Sequence, residues 1–196
     1  MPELTIFTAP KPFTNPHIAM IQRNAIRSWM SLGPQVEVIL LGDEAGLAEF
    51  AAECGIKHFP EVACNANGTP LVSSMFDLAR RNSSSPLLAC VNADIMLMPD
   101  VLQGALDVAK QAAQFLIVGQ RWDLEVREPL EFTPGWVERL RQRAQSQGKL
   151  HRASGSDYFI FPRDCFIEMP AFAIGRAGWD NWMIYAGRRY GWPVVD

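Results

Sequence analysis

The sequence predicts an α/β fold, a single domain with a mostly parallel central sheet flanked by helices. Three observations carry that expectation. Apolar runs of strand length alternate with helical periodicities from Leu4 to Gly119, the rhythm that strand–helix–strand crossovers require. The run Leu87 to Val91 is apolar at every position, which only a strand covered on both faces needs to be. Acids recur at strand ends, with Asp43, Asp94 and Asp123 just past three of them, Asp157 just before another and Asp180 at the start of the last helix. Ligands of open α/β sheets bind at such an edge, beyond the carboxyl ends of the strands.

Leu4 to Thr8 is the first expected strand, stopped by Ala9-Pro10, and Lys11-Pro12-Phe13 has too few backbone donors to stay in a sheet. Asn15-Pro16 starts a helix whose Ile18, Ile21, Ala25 and Trp29 share a face, and Gly33-Pro34 ends it. Val36 to Leu41 is the second strand, and Leu47, Phe50, Ala51 and Cys54 define a second helix closed by Gly55. A short strand, Ile56 to Phe59, leads into the aperiodic loop 60–68, after which Thr69-Pro70 restarts a helix through Leu71, Met75 and Leu78. Ser83-Ser84-Ser85-Pro86 breaks it before Leu87. A helix from Asp100 and a strand from Phe115 to Gly119 complete the alternation.

Past Gly119 the rhythm changes. Gln120 to Pro134 is polar and irregular, Thr133-Pro134 opens a helix ending at Gly148, and Ser154-Gly155-Ser156-Asp157 precedes a strand from Tyr158 to Phe161. The stretch 174–178 reads as a glycine-rich lead-in to a helix from Trp179 to Tyr190, and Val194-Val195 reads as a last strand. No linker or repeat divides the chain. Arg139, Arg141, Arg143, Lys149, His151 and Arg152 form its most basic part, diluted by Glu138 and glutamines into what a solvated helix face requires.

With 196 residues, 48% hydrophobic and a net charge of only −3, the chain can bury a large core and offers no electrostatic case for nucleic acid. Four cysteines without C-x-x-C spacing suggest reduced thiols. The first strand starts at Leu4, leaving no room for a signal peptide, and no apolar run approaches a membrane span. A cytoplasmic protein is expected.

There is no G-x-G-x-x-G after a strand, no P-loop, no H-E-x-x-H and no G-x-S-x-G, which disfavours dinucleotide oxidoreductases, P-loop NTPases, zincins and serine hydrolases. His17, His58 and His151 have no partner at helical spacing. The carboxylates at strand ends remain, and such hard ligands suit Mg²⁺ or Mn²⁺, which take one or two protein carboxylates and complete their shell with phosphates and water. Asp94 is central among them. It is a poor helix cap, since Ile95 to Met98 follow it and Pro99-Asp100 is the better start.

The order of elements, with Asn92-Ala93-Asp94 where an Asp-x-Asp motif is expected, resembles the GT-A nucleotide-sugar glycosyltransferases. The stretches Thr5-Ile-Phe-Thr, Ile21-Gln-Arg-Asn-Ala-Ile, Gly68-Thr-Pro-Leu-Val-Ser-Ser, Arg121-Trp-Asp-Leu and Ala177-Gly-Trp-Asp-Asn-Trp are similar to those of a group of bacterial and plant glycosyltransferase-like proteins. The resemblance implies a GT-A-like fold in which 1–119 form a nucleotide-binding half and 120–196 an acceptor-side half. It implies transfer of a sugar from a nucleotide diphosphate sugar to a hydroxyl acceptor, assisted by Mn²⁺ or Mg²⁺. Thr8 and Ala9 would contact the nucleotide, Asp43 its base, Asp94 the metal, and Asn92 the ribose or metal. Arg121, Asp123 and Asp157 would bind substrate, and Asp180 would deprotonate the acceptor. The family has an acid where this chain has Asn92, and it leads one to expect a further segment with a histidine metal ligand. A sugar-nucleotide-binding module without turnover is the alternative. A sugar-1-phosphate nucleotidyltransferase would need a glycine-rich basic loop where Ala9-Pro10-Lys11-Pro12 stands.

Overall fold

Seven strands form the central sheet in a computed structural model that describes residues 1–152, 155–176 and 178–196. Ser154 and Ala177, which belong to segments singled out in the sequence, lie outside the described residues. The strands are β1 (Leu4–Thr8), β2 (Val36–Leu41), β3 (Lys57–Phe59), β4 (Leu87–Val91), β5 (Leu116–Val118), β8 (Tyr158–Pro162) and β9 (Val194–Val195), in the spatial order β3-β2-β1-β4-β8-β5-β9. β4 is central and wholly buried. All neighbours are parallel except β8, which runs antiparallel to both β4 and β5, with Val91 opposite Tyr158. That reversal puts the start of β8 beside the end of β4.

The apolar strands are two-sided, and alternate residues serve different cores. Leu87, Ala89 and Val91 pack on the face covered by α1 (Pro16–Met30), α2 (Leu47–Cys54) and α4 (Asp100–Ala109). Leu88 and Cys90 pack on the other, with Met75 and Phe76 of α3 (Val72–Arg81) and Trp179 and Met183 of α6 (Trp179–Arg189). Burial pushes the Cys90 thiol up to about 12, since nothing there compensates a thiolate. All four cysteines are free. No described helix is long and apolar enough to cross a membrane.

Four local expectations are corrected. β3 begins at Lys57, one residue late. The helix expected from Thr69 begins at Val72, because Asn65 Oδ1 accepts from the backbone N–H groups of Asn67 and Thr69, and Pro70 and Leu71 are drawn into antiparallel bridges with Cys64 and Ala173. The stretch expected to be irregular after Gly119 contains β6 (Trp122–Asp123), paired with β7 (Lys149–Leu150) after α5 (Trp136–Gln147). On α1, Ala25 and Trp29 are buried, joined by the polar Gln22, Asn24 and Ser28, while Ile18 and Ile21 are only half-buried.

Candidate functional site

The carboxyl ends of β1, β2 and β4 open into one cavity of about 750 Å³. Thr8, Ala9, Asp43, Asn92, Asp94 and Asp180 all line it. Parallel pairing explains the first five, because each follows a strand that ends at the same edge. Asp180 arrives from the opposite face of the sheet on α6.

Each wall is anchored. Gly42 ends β2 with φ +104, a left-handed conformation that glycine adopts without strain, and it turns the chain so that Asp43 is exposed. The Gly42 carbonyl contacts His58 Nε2 at 2.7 Å, a structural role for that histidine. The proline-flanked Lys11 is tied to α1: its N–H donates to Gln22 Oε1 at 2.7 Å and its carbonyl accepts from Gln22 Nε2 at 3.0 Å. Gln22 is buried and Lys11 exposed at the cavity. Sequence reasoning missed both; the signal available was a polar residue on the apolar face of α1. The loop 60–68 supplies Val62, Cys64 and Gly68 to the rim.

Asp180 is the second residue of α6, whose N-cap position is Gly178, so it is not itself the cap. Its Oδ1 accepts from the N–H of Asn181 at 2.8 Å and of Gly178 at 3.3 Å. Among the described residues Oδ2 has no partner, which leaves one oxygen for a ligand in the cavity.

Arg121, Asp123 and Asp157 are not walls of this cavity. They line an adjoining hollow of about 450 Å³ that shares Asp94 and Ile21 with it. There they pair with one another: Arg121 Nε donates to Asp123 Oδ1 at 2.7 Å, and Arg121 Nη1 donates to Asp157 Oδ2. His151 Nδ1 lies 2.8 Å from Asp123 Oδ2. The His151 bond, then the Arg121 bond, hold the Asp123 carboxyl below the usual carboxylate range. Partial burial of Arg121 works against its charge, but its bonds to Asp123 and Asp157 together outweigh that and raise its pKa.

The donor set for a cation is narrow. Asp94 is exposed and, among the described residues, its carboxylate bonds to none, whereas the Asn92 amide donates to Asp157. No three His, Cys, Asp or Glu side chains among the described residues gather as a metal cage. A lone carboxylate is enough for one protein ligand of an ion such as Mg²⁺, which takes one or two carboxylates and completes its shell with other oxygens.

Solved structures share this fold, a mostly parallel sheet with flanking helices. A protein from Desulfovibrio desulfuricans G20 described as a nucleotide-diphospho-sugar transferase matches with a TM-score of 0.58 at 14% identity, over 100% of this chain and 79% of that one. The mannosyltransferase PcManGT from Pyrobaculum calidifontis, solved with GDP-Man and Mn²⁺, matches with a TM-score of 0.59 at 11% identity, over 99% of this chain and 54% of that one. At such identities the likeness is one of fold, and the fold expected from the sequence is the one found. Neither protein-family models nor curated proteins give a match.

Proposed function

We propose that the chain transfers a sugar from a nucleotide diphosphate sugar to a hydroxyl acceptor. The observation that carries this reading is the single cavity in which Thr8, Asp43, Asp94 and Asp180 converge from four separate elements. The nucleotide lies over the ends of β1 and β2, where Asp43 accepts a hydrogen bond from the base and Thr8 and Ala9 form the floor. Residues 1–119 thus serve the donor and 120–196 the acceptor. Asp94 would hold Mn²⁺ or Mg²⁺, and the ion would offset the charge that builds on the leaving diphosphate. As the acceptor oxygen bonds to the anomeric carbon and the bond to the diphosphate oxygen breaks, Asp180 takes the hydroxyl proton.

A binding module without turnover is favoured by one observation, the lone Asp94 carboxylate beside an amide at position 92. Asp180→Asn separates the two readings. Nucleotide affinity, measured by calorimetry with UDP and GDP with and without Mn²⁺, should stay within about twofold, since the amide keeps the oxygen that accepts from Asn181. Turnover should fall about 10²- to 10⁴-fold, the usual contribution of a positioned base, and the product should carry inverted anomeric configuration. Equal rates in the variant would remove Asp180 from the mechanism, and no turnover by the wild type with any nucleotide sugar it binds would remove the catalytic reading.

A further inference from the structure

The turn that carries Asp94 is clamped from both sides. On one side α1 grips the residues after it: Trp29 Nε1 donates to the Ile95 carbonyl at 2.8 Å, and Ser28 Oγ accepts from the Leu97 N–H at 3.0 Å. On the other side the residue before β8 grips the start of the turn. The Asn92 N–H donates to the Asp157 carbonyl at 2.9 Å, and Asn92 Nδ2 donates to Asp157 Oδ1 at 3.0 Å. Asp157 is buried, with 10% of its side chain exposed, and its second oxygen is held by Arg121.

We propose that Asn92 is a positioning residue, held by Asp157 and through it by Arg121, that sets the turn presenting Asp94 to the diphosphate, rather than a metal ligand that has lost its charge. The proposal rests on the donor-site reading above. The physical reason is the direction of one hydrogen bond. An amide at position 92 can donate to the Asp157 carboxylate; an aspartate there would set two carboxylates at about hydrogen-bond distance, where both cannot stay ionised without a large cost. Position 92 is therefore an asparagine because position 157 is an aspartate, one strand over. The acid absent from the motif has its counterpart across the β4–β8 ladder, paired with Arg121.

The consequence is a coupling between two residues 65 positions apart. Asn92→Asp, which recreates Asp-x-Asp, should weaken binding of the nucleotide diphosphate about tenfold. Asp157→Asn should also weaken it. The double exchange N92D/D157N restores one donor and one acceptor with the bond reversed, and leaves an amide oxygen for Arg121. It should bring affinity back to within about threefold of wild type, as interacting pairs in a double-mutant cycle do.

The experiment is that four-protein cycle, read by calorimetry with whichever of UDP and GDP the wild type binds, with and without Mn²⁺, and by thermal unfolding. Tighter Mn²⁺-dependent binding by N92D at unchanged stability would identify position 92 as a vacated metal ligand and overturn the proposal. So would a double variant as weak as the two single effects combined, or a coupling seen in unfolding alone with affinity unmoved, which would mark a merely structural pair. If the wild type binds neither nucleotide, the donor-site reading fails and takes the positioning role with it, while the unfolding cycle still reports whether the two residues are coupled.

Discussion

The two ends of β8 are each held by an arginine, and the two arginines are held in opposite ways. At the carboxyl end, Arg163 gives Nε to the Ser85 carbonyl at 2.9 Å, Nη1 to the Arg80 carbonyl at 2.5 Å, and Nη2 to Ser83. Arg80 answers with Nε to the Arg163 carbonyl and Nη2 to the Cys165 carbonyl, both at 3.0 Å. All the partners of Arg163 are neutral main-chain and hydroxyl groups. At the amino end, Arg121 meets Asp123, Asp157 and His151, all of which can titrate. One end is held mainly by main-chain carbonyls, with a single ion pair from Arg80 Nη1 to Asp77 Oδ1 at 3.2 Å, and burial pulls the Arg80 pKa below its usual value. The other is a charge-paired assembly beside the cavity. The difference teaches where this fold keeps its rigidity: away from the edge where the parallel strands end.

The sharpest way to break that contrast is Arg163→Met. It strips donors from three backbone carbonyls at once, and at roughly 1 kcal/mol or more for each group left without a partner the loss is about 2–4 kcal/mol. For a chain of this length that lowers Tm by roughly 5–15 °C. Nucleotide affinity of the folded protein should be unchanged. Any loss of affinity beyond about twofold would mean that the far end of β8 reaches the cavity.

Arg121→Met should cost less, about 1–2 kcal/mol, because its side chain is 29% exposed and its partners can turn to water. Its signature is functional instead. Affinity for the nucleotide diphosphate should fall several-fold, since Asp157 loses one of the two groups that hold it. A variant as destabilised as Arg163→Met, with affinity intact, would erase the distinction between the two ends.

The smallest expected effect is a pH dependence confined to the amino end. Asp123 has a folded pKa below its unfolded value near 4. The stability it contributes is therefore fully present above that unfolded value and is lost as pH falls through the folded one. Unfolding temperatures of wild type and Asp123→Asn should differ near neutral pH and converge as pH falls below the usual carboxylate range. The difference between wild type and Arg163→Met should stay flat across the same range. A parallel offset for Asp123→Asn would show that its ion pairs contribute nothing measurable.

Where punctuation and period agreed, the sequence was readable to the residue. Asn15-Pro16 starts α1, with Asn15 Oδ1 accepting from the N–H groups of His17 and Ile18, and Gly55 closes α2 in a left-handed conformation. The unbroken apolar run of β4 put it at the sheet centre, and an acid after a parallel strand could only emerge at the carboxyl edge, which located Asp43 and Asp94. These inferences needed only local patterns and the rule that parallel strands end together.

The direction of β8 was not readable, since a five-residue apolar strand has the same pattern either way. With it went everything that depends on long-range pairing: Asp157 opposite Asn92, the antiparallel β6–β7 pair that delivers His151 to Asp123, and Gln22 turned inward to hold Lys11. By itself the sequence determined the elements up to Gly119, the two-sided core and the edge at which the acids gather, because burial and backbone preference act within a few residues. Only the tertiary structure decided which acids stay open to a ligand and which are taken up by Arg121, His151 and Asn92, because that depends on which strands meet, and most of these partners lie far apart along the chain.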